Sequence, residues 1–248
     1  MNAVILTAGG VGSRMNNNIP KQFLTVNNKP IIIYTLEAFQ NHPNIDLIIV
    51  ACLAGWEQIL SAYATQYDIS KLKYIVPGGS SGQESITNCL NKLKEVCTDN
   101  DIVMVHDGNR PLVSDMIISD SIAVCVSKGN SVAQIPCTEA LITTEDQKTS
   151  SELLNRDLVK RTQTPHTFRF KKLYDAYDEI KKRGETEAVA PCAVMMKLGE
   201  KIHFSNGSEE NFKITTPTDL KIFEALINYD CNAKVINDYK KPKTKSLY

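Results

Sequence analysis

Short apolar runs alternate with stretches whose apolar residues recur every three or four positions, and a glycine-rich turn follows the first run. Together these features predict a Rossmann-like α/β fold, a mostly parallel sheet with helices on both faces. Runs such as residues 47–52, apolar throughout, suit strands buried on both sides. A chain of 248 residues, 42% hydrophobic and 23% charged, can bury a large core without staples.

Residues 3–6 read as the first strand, which runs into Gly9, Gly10 and Gly12. Pro30 opens a helix over 31–41, with Ile32, Leu36 and Phe39 at helical spacing. A strand at 47–52 precedes a helix at 55–67 that carries Trp56, the single tryptophan, as a packing residue. The strand at 72–76 ends in a second glycine-rich turn, Pro77-Gly78-Gly79-Ser80-Ser81-Gly82, and a helix with Ile86, Leu90, Leu93 and Cys97 on one stripe. Residues 102–106 form a strand that delivers His106 and Asp107 at its carboxyl end, His106 pointing opposite to Asp107 as a structural residue. A helix over 114–128 is capped by Ser114 and ended by Gly129, and a strand at 131–136 leads to the strand-like 137–144 and the polar 145–152. A helix spans 170–183. Residues 201–205 and 212–215 alternate like strands, with Ile202 and Phe204 on one side, His203 on the other, and Lys213 as a lone cation opposite its apolar neighbours. Thr216-Pro217-Thr218-Asp219 is a variant capping box for a last helix with Leu220 and Phe223 on its stripe. One domain over 1–229 and a polar, lysine-bearing tail over 230–248 follow from this pattern.

The chemistry starts at the first turn. Glycines let backbone N–H groups approach a ligand and form an anion-binding concavity, and Arg14 and Lys21 add fixed positive charge on the same excursion. The third glycine of the dinucleotide fingerprint and the Gly-Lys-Ser/Thr of a P-loop are both missing, so the glycines by themselves leave nucleotide binding and a plain turn open. A formal net charge of zero argues against a nucleic-acid partner, so any phosphate site is built locally. Seven scattered cysteines without a Cys-x-x-Cys pair point to free thiols in a reducing compartment, and the absence of a leader or a long apolar span makes the cytoplasm the expected location, with no membrane partner.

The stretch from Ala8-Gly9-Gly10 through Gly12, Arg14 and Met15 to Pro20-Lys21-Gln22-Phe23-Leu24 is followed by Val105-His106-Asp107-Gly108-Asn109-Arg110-Pro111, Gln163-Thr164-Pro165 and Asn211-Phe212-Lys213-Ile214-Thr215-Thr216-Pro217. With these motifs in this order, the chain resembles the cytidylyltransferases that act on methylerythritol phosphate or ribitol 5-phosphate. The resemblance implies transfer of a cytidylyl group from CTP to an alcohol phosphate, giving a CDP-alcohol and pyrophosphate. It implies Arg14, Lys21 and Lys213 as the catalytic cations. Nucleotide contacts would come from Leu6, Thr7, Ala8, Gly9, Gly10, Val11, Gly12 and Ser13, from Gly79 and Ser85, and from Asp107, Gly108 and Arg110. Arg156, Thr164 and Lys213 would grip the acceptor phosphate, and Mg²⁺ or another divalent cation, held mostly by CTP phosphates, would have Asp107 as its protein contact. Residues 138–160 would form a protruding β-arm that exchanges with a second subunit of a homodimer, Arg156 serving the partner's site.

The departures from the family pattern lie in the loop over the nucleotide, at Gly82, and on the acceptor side. Gly82 stands where an arginine is usual, Glu139-Ala140 where Asp-Thr is usual, and His166 where glutamine is usual; Pro191 interrupts a helix. They point to a ribitol 5-phosphate-like polyol or sugar acceptor, with methylerythritol phosphate as the alternative. They also keep open a nucleotide-binding protein that has lost catalysis.

Overall fold

The computed structural model describes residues 1–10, 19–185 and 190–240, with side chains as far as Tyr229. Its elements in chain order are β1 (Asn2–Ala8), the short pair β2 (Thr25–Val26) and β3 (Lys29–Pro30), α1 (Ile31–Asn41), β4 (Leu47–Cys52), α2 (Glu57–Gln66), β5 (Leu72–Pro77), α3 (Gly82–Leu93), β6 (Ile102–Asp107), α4 (Asp115–Lys128) and β7 (Asn130–Pro136). The second half holds β8 (Leu141–Thr143), β9 (Glu152–Leu154), β10 (Lys160–Arg169), α5 (Phe170–Lys182), α6 (Pro191–Lys197), β11 (Phe204–Asn206) and α7 (Pro217–Lys240).

Seven strands form one sheet in the order β11-β7-β10-β6-β1-β4-β5. β6, β1, β4 and β5 are parallel, β11 is parallel to β7, and β10 runs antiparallel between β6 and β7. Successive strand residues face opposite sides of a sheet. Val4 and Leu6 therefore join one core with Leu36 and Phe39 of α1 and Leu60 of α2. Ala3 and Ile5 join another with Leu90 and Leu93 of α3 and Leu173 and Ile180 of α5. Both faces of the sheet are covered, as the alternation of elements predicts. A third, smaller cluster of Val26, Ile31, Ile214 and Phe223 ties the start of α1 to α7. Ile214 sits in it fully buried, which fixes its neighbour Lys213.

Several details differ from the sequence expectation. Residues 212–215 are not a strand: Ile214 N–H donates to the Asn109 carbonyl at 2.9 Å, and Asn109 Nδ2 donates back to the Ile214 carbonyl. One asparagine supplies the partner that a neighbouring strand would have supplied. Of the strand expected at 201–205 only Phe204 and Ser205 belong to β11, which runs to Asn206 at the sheet edge; Phe204 is exposed there, while Ile202, outside the strand, packs on the second core. Cys97 falls beyond the end of α3. Pro191 does not interrupt a helix but opens α6 at its first position, where its missing N–H costs nothing. α7 continues past Tyr229 to Lys240, so the stretch read as the start of a polar tail is helical that far. The caps hold as expected: Ser114 accepts from Ile117 N–H, Gly129 ends α4 at φ +89°, and the Asp219 carboxylate takes the Thr215 and Thr216 N–H groups.

β8 and β9 pair with each other and not with the main sheet. This hairpin lies within the expected arm, and Leu153 on it and Leu158 in the 3₁₀ turn after it are 70% and 83% exposed. No helix among the described residues is long and apolar enough to cross a membrane.

Candidate functional site

The carboxyl ends of β1 and β6 open into a cavity of about 410 Å³, closed on other sides by the turn after β5, the middle of β10 and Lys213. This is where an open α/β sheet binds ligands. Thr7, Ala8, Gly9, Gly10, Lys21, Gly79, Ser85, Asp107, Arg110, Thr164 and Lys213 all line it. Val11, Gly12, Ser13 and Arg14 lie outside the described residues.

One half of the cavity is backbone. Gly9 and Gly78 pack main chain to main chain: a Cβ on Gly78 would lie 2.9 Å from Gly9 Cα and 3.0 Å from the Cys52 carbonyl oxygen. Only glycine allows that approach. Gln22, almost fully buried in the 3₁₀ turn Lys21–Phe23, donates from Nε2 to the Ala8 carbonyl at 2.6 Å and the Gly10 carbonyl at 3.2 Å. The motif residue beside Lys21 thus ties the lysine's turn to the first glycine loop. Ser85 Oγ accepts the Gly79 N–H at 3.0 Å and donates to the Ser81 carbonyl at 2.9 Å. Its only hydrogen is spent on shaping the second loop.

The other half is a network of side chains around Asp107. Oδ1 lies 2.8 Å from Lys213 Nζ and Oδ2 lies 2.8 Å from Arg110 Nε. Burial alone would raise the Asp107 pKa, but the Lys213 ammonium and the Arg110 guanidinium outweigh it and hold the carboxyl well below the usual range. Asp107 is ionised at neutral pH, and it aligns two cations along one wall. Arg110 also donates to the Asn211 carbonyl at 2.8 Å, and Asn211 Nδ2 donates to the Thr164 carbonyl at 2.8 Å. Thr164 Oγ1 accepts the Asp107 N–H at 3.1 Å and lies 3.0 Å from His106 Nδ1. His106 and His166 both line the cavity, and burial lowers the pKa of each to about 4.

Three expected site residues are elsewhere. The side chain of Leu6 is buried in the core, because strand alternation turns it away from the loop. Gly108 lies behind the cavity wall: its N–H donates to the Thr7 carbonyl, its own carbonyl accepts from Thr35 Oγ1, and a Cβ would lie 3.1 Å from the Thr7 oxygen. Arg156 is exposed on the turn after β9, donates to the Thr138 carbonyl at 2.9 Å, and does not line the cavity of its own chain. Ala140, which stands where the family pattern has threonine, is likewise exposed at the base of the arm. Pro191 does line the cavity, and so does Gly82, whose Cβ position is open space.

Gln22, Gly78, Asn109 and Asn211 were not singled out from sequence. Gln22, Asn109 and Asn211 lie inside quoted motifs, yet a buried amide that binds a distant backbone leaves no periodic signal. No cysteine lines the cavity among the described residues, and burial pushes the Cys52 pKa up to about 12. Among the described residues no group of three His, Cys, Asp or Glu could hold a metal ion. Among the described residues Asp107 is the one carboxylate on the cavity wall. That suits a Mg²⁺ carried mainly by phosphate oxygens, which needs one or two carboxylates from the protein.

A glycine-built loop and two lysines around one cavity at the carboxyl ends of a mostly parallel sheet define a nucleotidyltransferase of the α/β class. The family model for 2-C-methyl-D-erythritol 4-phosphate cytidylyltransferase, IspD, matches residues 2–229, and the chain belongs to that family. A ribitol-5-phosphate cytidylyltransferase of Lacticaseibacillus paracasei is 41% identical over 92% of this chain and 98% of its own length. One from Vibrio parahaemolyticus is 38% identical over 95% and 99%. The crystal structure of Francisella tularensis 2-C-methyl-D-erythritol 4-phosphate cytidylyltransferase superposes with a TM-score of 0.75 at 27% identity, covering 89% of this chain and 97% of that one.

Proposed function

We propose that this cytidylyltransferase joins CTP to ribitol 5-phosphate or a closely similar polyol phosphate, releasing pyrophosphate. The observation that carries the reading is the convergence of Lys21 and Lys213 on one cavity floored by the first glycine loop. The two ribitol-5-phosphate relatives at 41% and 38% identity support the polyol acceptor over methylerythritol phosphate.

In this reading the Gly9 and Gly10 amides hold the triphosphate, and Lys213 and Arg110, aligned by Asp107, hold the acceptor's phosphate. An oxygen of that phosphate attacks the α-phosphorus of CTP in line. The bond from the α-phosphorus to the bridging oxygen breaks, and pyrophosphate leaves with the electron pair. Lys21, with Arg14, neutralises the charge that develops on the leaving group. Such a reaction needs positioning and charge stabilisation, and no covalent intermediate on the protein. Mg²⁺, when bound, would neutralise phosphate charge, with Asp107 as its protein contact. Arg156 would reach the acceptor phosphate of a second subunit through the arm, whose exposed Leu153 and Leu158 give a homodimer an apolar contact. The protein would act in the cytoplasm.

Pyrophosphate release from CTP and Mg²⁺ across a panel of alcohol phosphates tests this. The expected outcome is the highest kcat/KM with ribitol 5-phosphate. Preference for methylerythritol phosphate would move the assignment to that substrate, and CTP binding without release for every acceptor would replace the enzyme with a nucleotide-binding protein.

A further inference from the structure

Continuing the antiparallel register of β10 on β6 would set Thr164 opposite Asp107, yet the regular ladder stops two pairs short, at His166 and Val105. Pro165 has no N–H to continue it. The Asp107 N–H is instead taken by the Thr164 hydroxyl at 3.1 Å. That hydroxyl also touches His106 Nδ1 at 3.0 Å, and His106 Nε2 lies 3.1 Å from the Arg110 carbonyl oxygen.

The direction of each bond follows from what the atoms can do. A carbonyl oxygen only accepts, so Nε2 carries the ring hydrogen. His106 is fully buried, and a neutral ring with hydrogen on Nε2 has a bare Nδ1. Thr164 must then donate to Nδ1, and its oxygen is left to accept the Asp107 N–H. A phosphate oxygen also needs a donor, and Thr164 has no second hydrogen to give it. The Thr164 hydroxyl therefore cannot be a donor to the acceptor phosphate while this chain is intact.

We propose that His106 is a positioning residue: by taking the Thr164 hydrogen it makes the Thr164 oxygen the anchor of the Asp107 backbone, and so fixes the carboxylate that aligns Lys213 and Arg110 on the acceptor phosphate. Thr164 acts through Asp107, not by touching substrate. The effect on acceptor binding rests on the transfer reaction proposed above; the hydrogen-bond chain itself does not.

Two measurements separate the two. Long-range ¹⁵N–¹H correlation spectra of the ligand-free full chain, with His106 assigned by the loss of its signals in H106Q, are expected to give the Nε2–H tautomer, and T164V is expected to shift the Nδ1 resonance. An Nδ1–H tautomer overturns the proposal whether or not the protein turns over any substrate. In the pyrophosphate assay, T164V should raise the acceptor KM about ten-fold and leave the CTP KM within about two-fold, while T164S stays near wild type. H106Q keeps an amide toward the Arg110 carbonyl but offers nothing at Nδ1, and should reproduce T164V; the double variant should add little further loss. H106N places an acceptor near the Nδ1 position and should recover most of the loss. Additive losses, or an H106Q enzyme with an unchanged acceptor KM beside an impaired T164V, would make Thr164 a direct phosphate ligand and sink the inference. If H106Q does not fold, T164V and the wild-type spectrum still decide the matter.

Discussion

The two halves of the cavity are made of different material. On the glycine side, main chain packs on main chain, and the side chains that matter, Gln22 and Ser85, spend their polar atoms on backbone groups. On the Asp107 side, one carboxylate holds two cations, and the chain of contacts runs through side chains from His106 to Asn211. At Gly9 and Gly78 the first half leaves almost no room for an added atom. The second is built on the charges of Asp107, Arg110 and Lys213. In the proposed reaction the first would serve the triphosphate and the second the acceptor.

The largest effect should come from the lysine between the halves. Lys21→Ala removes a fixed charge from the cavity without touching the core, and turnover should fall about a hundredfold to a thousandfold while the melting temperature holds. Near-normal activity in that variant would end the assignment. Asp107→Asn tests the other half. It keeps the shape but leaves Lys213 and Arg110 without their counter-charge, with an expected stability loss of about 3 kcal/mol by urea titration and a larger rise in acceptor KM than in CTP KM. Equal rises in the two would mean that the halves are not separate.

Legibility in sequence follows the same division. The parallel strands could be read because burial on both faces leaves continuous apolar runs such as residues 47–52, and the glycine turns because the close approach of two backbones at Gly9 and Gly78 demands glycine. Gly78 was passed over beside Gly79 because no one-dimensional pattern tells which of two glycines meets another backbone. Residues 212–215 alternate like a strand, but alternation reports faces and not partners, and here the partner is a single residue, Asn109, through its carbonyl and its side-chain amide. His106 reads as structural in the sequence, and its link to Thr164 spans 58 residues and exists only once β10 and β6 are paired.

The buried histidines give the Asp107 side a pH signature that the glycine side lacks. His106 and His166 have pKa values lowered by burial from 6.5 to about 4. The unfolded chain therefore binds protons that the folded one refuses between those values, so stability falls as the pH drops from 6.5 toward 4 and levels off below. Each histidine accounts for up to about 3 kcal/mol of that loss. Urea midpoints at pH 7 and pH 4.5 should differ accordingly, and His166→Gln should flatten the slope. A midpoint independent of pH would mean that both rings are solvated.

The smallest effects sharpen the contrast within the glycine half itself. Gly78→Ala forces a methyl against the Gly9 Cα and the Cys52 carbonyl, neither of which is the end of a flexible side chain, and should cost about 1–3 kcal/mol with a raised CTP KM. Gly82 lines the same cavity, but a Cβ there meets nothing within 4 Å and its φ is not left-handed. As the first residue of α3 it should accept alanine with a stability change within about 1 kcal/mol, in the stabilising direction, and with the CTP KM unchanged. If Gly82→Ala damaged CTP binding as much as Gly78→Ala, the wall at Gly82 would be in contact with the nucleotide, and the backbone-only account of this half would have to include it.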